Sequence, residues 1–172
     1  MFATKVASIG GGYEMSEIIV RMGVLILVSL LLCLLVWSGR KFVELQRRRA
    51  LAAPPLDGLA HTTDEGTYAS PVRILAFSSA DCKQCHQLQA PVLRRVQEIH
   101  GADVTVEEVD TPSAPELVRQ YHVLTVPTTV VLDAMGHAHA VNYGFANTQR
   151  LLEQVDATLA QMSQTVGTKV IA

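Results

Sequence analysis

The pattern of apolar and polar positions divides the chain into three stretches of different texture. From Ile18 to Trp37 twenty residues run with one charge, Arg21, and residues 22–37 read MGVLILVSLLLCLLVW with none. A helix of that length rises about 30 Å, which matches a bilayer core. A helix packed on a globular core keeps a polar face, and this stretch offers only Ser29. Arg40 to Leu51, rich in Arg, Leu, Glu and Gln, can prolong the helix until Pro54-Pro55 ends it. The residues that follow, LDGLAHTTDEGT, have no period and read as a flexible spacer.

From Tyr68 onward short strand-like and helix-like patterns alternate. Val72–Ser78 is an apolar run of strand type. Cys82–Ile99 has helical spacing, with Leu88, Val92, Val96 and Ile99 recurring at three and four, and His100-Gly101 ends it. Val104–Val109 alternates as a strand. Ser113-Ala-Pro-Glu116 has the form of a capping box, with proline just inside the start, and opens a short helix to Tyr121. Thr128–Asp133 is a strand, Ala134–His137 a turn and His139–Tyr143 another strand, after which Asn147 caps a closing helix through Leu159. The order β-α-β-α-β-β-α predicts a mixed sheet with helices on both faces. The organisation expected is a tail over 1–17, a transmembrane helix over 18–38, a basic juxtamembrane segment and linker over 39–67, an α/β domain over 68–165 and a tail over 166–172.

Composition sharpens this picture. Of 172 residues 49% are hydrophobic, which excludes a disordered chain, and three cysteines are too few for a disulfide-dense secreted scaffold. The mean hydropathy of +0.25 is high for a single globular domain, and the excess lies in the one apolar run. The net charge of −2 is a sum of unlike parts: residues 1–53 carry seven bases and three acids (+4), residues 54–67 three acids (−3), and residues 68–172 seven bases and ten acids (−3). No basic face suits nucleic acid. Arg40, Lys41, Arg47, Arg48 and Arg49 follow the apolar run, against Lys5 and Arg21 before it, so the positive-inside bias puts the C-terminal part in the cytoplasm, with the chain a single-pass protein of the cell membrane. Arg21 can snorkel to one interface and Trp37 can sit at the other. A cleavable signal peptide would need a small-residue site directly after the run, where Ser38-Gly39-Arg40-Lys41-Phe42 stands instead; the small residues of Ala50–Ala53 come only after the basic cluster.

The chemistry concentrates at Cys82-Lys83-Gln84-Cys85, directly after a predicted strand and at the start of a predicted helix. There the first thiol meets unpaired N–H groups at the positive helix end, which favours the reactive thiolate. Lys83 acts in the same direction, Asp81 opposes it, and His86 is placed to tune Cys85. Two intervening residues bring the second thiol within reach of a disulfide, so the pair can exchange electrons with a partner disulfide through a mixed intermediate, Cys82 attacking and Cys85 resolving.

Here the chain resembles the thioredoxin family, over about residues 68–162. The resemblance rests on the strand before Cys82-x-x-Cys85, on Val109-Asp110, on Tyr121-His-Val-Leu-Thr-Val126-Pro127-Thr128, and on Gly136 and Gly144. It implies a thioredoxin-like fold, thiol–disulfide exchange with protein substrates and with an electron donor or acceptor, and no cofactor or metal. It also implies a cis Pro127 opposite the cysteines, with the main chain of Val126 pairing with an extended substrate by strand addition. The family's Trp-Cys-Gly-Pro-Cys is here Asp81-Cys-Lys-Gln-Cys85, so no aromatic precedes Cys82. The acid that the family carries six residues before the first cysteine is Ala76, and the proline of the first helix falls one residue late, at Pro91.

Rival readings use the same residues. Cys82-x-x-Cys85-His86 is also the c-type haem attachment pattern, with Met135 or Met162 as second axial ligand. The cysteines with two of His86, His100, His122, His137 and His139 would make a zinc site, but none of these has the paired spacing of a zinc finger. A redox-silent thioredoxin-like interaction module is the non-catalytic alternative. Cys33 reads as a small apolar residue of the membrane helix. On the cytoplasmic side the reducing poise makes the dithiol a reductase; on the other side oxidation, isomerisation or electron relay follows.

Overall fold

A computed structural model describes residues 11–55 and 70–169. The spacer read into 56–67, the first ten residues of the tail and the last three of the chain lie outside the described residues. The chain divides into two units, residues 1–45 and 46–172.

Helix α1 (Gly11–Leu51) runs as the sequence predicts from the apolar stretch into the basic one. By length and composition it is long and apolar enough to cross a membrane. Leu25, Leu30, Leu35 and Trp37 are all exposed along it. At one end of the apolar run Arg21 donates back to Glu17 at 3.1 Å, one turn toward the N-terminus, and at the other Lys41 lies 5.7 Å from the centre of the Trp37 ring.

The second unit is built on a four-stranded sheet in the order β2-β1-β3-β4. Strand β1 (Val72–Ser78) pairs parallel with β2 (Val104–Asp110) and antiparallel with β3 (Thr128–Asp133), which pairs antiparallel with β4 (Ala138–Tyr143). A central strand covered on both faces must be apolar at successive positions, and this is why VRILAFS lacks strict alternation. Ile74 and Ala76 face one core with Leu93 and Val96 of α2 (Ala90–His100) and Leu151 and Val155 of α4 (Thr148–Lys169). Leu75 and Phe77 face the other, with Tyr121 at the end of α3 (Pro115–Gln120). Helices therefore cover both faces, in a thioredoxin-like α/β fold.

Several local details differ from expectation. The predicted stripe of the helix after Cys82 holds in part: Val96 is buried and Val92 packs against the core, but Leu88 and Ile99 are half exposed, at 51% and 50%, while Cys85, Gln89 and Leu93 are buried. For Leu88 the cause is a π turn over Cys85–Gln89, in which the amide of Ala90 reaches the carbonyl of Cys85; the wider i→i+5 loop rotates the residues before α2 onto a different face. The capping box does not form, because the Ser113 hydroxyl donates to Asp110 at 2.5 Å and Ala114 takes the cap position, with Pro115 first in the helix. Asn147 caps as expected, its Oδ1 accepting from the Arg150 amide at 2.9 Å, but α4 continues ten residues past Leu159 to Lys169. Residues 46–53, assigned above to the juxtamembrane segment and linker, pack on the sheet: Ala50 is fully buried beside Tyr121 and Leu132, flanked by Leu51 and Ala53, and Gln120 Nε2 donates to the Pro54 carbonyl at 2.9 Å. A single small residue directly after three arginines fits this contact, and one position is too short a pattern to show in the sequence.

Candidate functional site

The site forms where β1 ends. After Ser78 the chain turns sharply, Cys82 N–H donating to the Ser79 carbonyl at 3.0 Å, and starts helical turns at Lys83. Cys82 caps these turns. Its carbonyl accepts from the amides of Cys85 and His86 at 3.1 and 3.3 Å, and its Sγ accepts from the Cys85 amide at 3.1 Å. The sulfur thus occupies the place of an N-cap oxygen, where N–H groups favour negative charge. Cys82 and Cys85 are joined in a disulfide with Cα atoms 5.3 Å apart. Cys82 is half-buried, whereas Cys85 is only 5% exposed. An attacking thiol must reach a partner and a resolving thiol need reach only its neighbour, so the burial fits the predicted order of roles.

The peptide bond between Val126 and Pro127 is cis. Pro127 is buried, Val126 is half-buried against the Tyr121 cluster, and the Pro127 carbonyl accepts from the Gly144 amide at 2.9 Å. Gly144 has φ +82°, a conformation that costs residues with a Cβ about 1–2 kcal/mol. Beside Gly144, burial pushes the Tyr143 hydroxyl above its ordinary pKa, the Arg47 charge opposing. A cavity of about 100 Å³ brings the two halves of the site together: Cys85 and Pro127 both line it, with Ala76, Ser78, Gln89 and Glu108.

Asp81, Lys83 and His86 are exposed around the cysteines. Three of the five histidines of the zinc reading face carboxylates elsewhere: His100 faces Asp156 at 3.6 Å, and His139 and His137 face Asp133 at 2.9 and 3.6 Å. Burial pushes the Asp133 carboxyl up, but hydrogen bonds from His139 and from the His137 and Met135 amides outweigh it and hold the group below its ordinary value. Met135, one axial candidate of the haem reading, is 75% exposed in the β3–β4 turn. Among the described residues no group of three or more His, Cys, Asp or Glu is disposed to hold a metal ion.

Three residues escaped the sequence reading. Gln89, 2% exposed, holds the backbone of Ala146 with both ends of its amide, Nε2 donating to the carbonyl at 3.2 Å and Oε1 accepting from the N–H at 2.9 Å. It ties the active helix to the turn before α4. Ser78 donates to Glu108 Oε1 at 2.9 Å, and Glu108 stands opposite Ala76 in the β1–β2 register. Nothing in the sequence announces that register or the π turn.

The Thioredoxin family model matches residues 65–157. Among solved structures the chain is similar to thioredoxin-2 of the malaria parasite, a component of its protein secretion machinery, at 18% identity and TM-score 0.47, over 55% of this chain and 99% of that one. Chloroplastic thioredoxin z is 27% identical, with TM-score 0.46, over 53% and 80%. A mutant thioredoxin of Halobacterium salinarum is 24% identical, with TM-score 0.46, over 52% and 75%. No curated protein sequence gives a significant match.

Proposed function

The chain belongs to the thioredoxin family, and from that premise we propose that it is a membrane-anchored thiol–disulfide oxidoreductase acting on protein substrates. One observation carries the reading: a half-buried Cys82 paired with a buried Cys85 beside a cavity that the cis Pro127 also lines. The Cys82 thiolate attacks a substrate disulfide, forming a mixed disulfide and releasing one substrate thiolate. Cys85 then attacks Cys82 Sγ, closing the internal disulfide and freeing the second substrate thiolate. The main chain of Val126 pairs with an extended substrate segment, so selectivity comes from the few side chains around the cysteines.

Anchoring is supported by the length and hydropathy of α1. The five bases after the apolar run support a cytoplasmic domain, where reducing poise makes the dithiol a reductase.

The test uses the full chain in detergent, with a disulfide-bridged peptide as substrate and dithiothreitol as electron source. Cys82→Ser abolishes turnover on this reading; equal turnover would leave a redox-silent interaction module. A reporter fused after Ala172, active on only one side of the membrane, reads the topology. An outward signal would overturn the cytoplasmic placement and the reductase direction with it.

A further inference from the structure

The resolving step needs a base, because a thiol attacks only as thiolate. Cys85 is 5% exposed, so its proton has no direct way into solvent. The cavity beneath it supplies one acid. The π turn and α2 contribute Gln89, Ala90 and Leu93, β1 contributes Ala76 and Ser78, and none of these titrates. Among the described residues Glu108 of β2 is the only carboxylate lining the space, and no basic side chain lines it. Asp81, Lys83 and His86 flank the cysteines on the exposed side, and Asp110 accepts from Ser113. Glu107, next to Glu108 on β2, points to the opposite face.

We propose that Glu108, held by the Ser78 hydroxyl, is the proton acceptor for Cys85 in the resolving step. Ala76 is the reason it can act. A larger side chain there would fill the space between Cys85 and the carboxylate, whereas alanine leaves a cavity of about 100 Å³, room for water to bridge the two. Ser78 is 8% exposed and its hydroxyl fixes one carboxylate oxygen at 2.9 Å. Glu108 itself is exposed on the edge strand, so a proton that reaches it from the cavity passes on to solvent.

The step balances. The Cys85 S–H proton moves to the Glu108 carboxylate across the cavity. The Cys85 thiolate attacks Cys82 Sγ, the Cys82–Cys85 bond forms, and the bond from Cys82 to the substrate breaks. The dithiol is oxidised by two electrons, the substrate disulfide is reduced by two, and the leaving substrate thiolate takes its proton from water. In reverse, reduction of the internal disulfide by a donor dithiol returns a proton from Glu108 to Cys85.

This inference rests on the exchange reading, and the experiment separates the two. The reduced full chain, carrying Cys33→Ser in the reference and in every variant so that only the two site thiols react, is mixed in detergent with an aromatic disulfide reagent whose leaving thiolate is coloured. The first equivalent reports attack by Cys82 and the second reports resolution by Cys85. Glu108→Gln should leave the first phase unchanged and slow the second about 10-fold or more at neutral pH, a modest general-base effect. The second-phase rate in that variant should then climb with pH toward the ordinary thiol range, while Glu108→Asp recovers most of it and Glu107→Gln behaves as wild type. Because Glu108 is exposed and lies outside both cores, an unchanged unfolding midpoint will accompany these effects. A second phase with the wild-type rate and pH profile in Glu108→Gln overturns the assignment. Wild-type protein that releases a single equivalent overturns the exchange reading itself.

Discussion

Removing the Gln89 amide should cost more than any other single truncation of a polar side chain near the site. Gln89 is buried and makes two hydrogen bonds, of 3.2 and 2.9 Å, to the carbonyl and amide of Ala146, itself 1% exposed. Gln89→Ala orphans both backbone groups in a place water reaches poorly. Each orphan costs about 1–3 kcal/mol, so the pair gives roughly 2–6 kcal/mol, with the lower half favoured if water enters the vacated space. With a urea slope of about 2 kcal/mol per molar, the unfolding midpoint falls by about 1–3 M. The assay is urea unfolding of the oxidised full chain in detergent, followed by near-ultraviolet circular dichroism of Tyr121, whose ring lies 6.2 Å from that of Phe77 in the second core. Gln89→Glu refines the test. It keeps an acceptor for the Ala146 amide but sets a second oxygen against the Ala146 carbonyl, so it is destabilised at neutral pH and recovers when acid protonates the new carboxyl. A midpoint within about 0.3 M of wild type for Gln89→Ala, well under the loss of one hydrogen bond, would refute the reasoning.

Three further outcomes follow from the same geometry. Asn147→Ala removes the N-cap of α4 and should cost about 1 kcal/mol, measured as a matching drop in urea midpoint; no change would mean the cap bond is idle. The depressed Asp133 carboxyl stabilises the fold above its unfolded pKa of about 3.9 and loses that contribution as pH falls through its lower folded value, so the stability gap between wild type and Asp133→Asn is full at pH 7 and closes in acid; a gap unchanged by acid would contradict the sign. Membranes washed with alkaline carbonate should retain the full chain, and Leu27→Arg with Leu31→Arg should weaken insertion by about 2.5–3.5 kcal/mol per charge; release of the wild-type chain would remove the anchor.

The strands were legible almost to the residue, because Val72–Ser78 and Thr128–Asp133 are apolar runs that only central strands need. The helix after Cys82 was legible in place and only partly in phase: Val92 and Val96 pack on the core as their spacing predicts, but a π turn has no compositional mark, and Leu88 matched an ideal helix that the chain does not form there. Ser113 looked like a cap, yet the shorter bond to Asp110 captured its hydroxyl. The site was half legible. Cys82, Cys85, Val126 and Pro127 announce themselves by motif, whereas Gln89, Ser78 and Glu108 matter only through a register and a cavity, which depend on residues distant in sequence. The packing of Ala50 was hidden for the same reason, since an alanine that follows three arginines becomes core only when the sheet offers a seat.

The central claim is that Cys82 attacks and Cys85 resolves, and trapping the intermediate tests it most directly. The full chain carrying Cys85→Ser is incubated with a disulfide-bridged peptide and analysed without reductant by mass spectrometry. The account predicts an accumulating mixed disulfide on Cys82, absent when Cys82→Ser is used instead and short-lived in the wild type. A peptide adduct that forms equally on Cys85 in the Cys82→Ser protein, or none on Cys82, would contradict it.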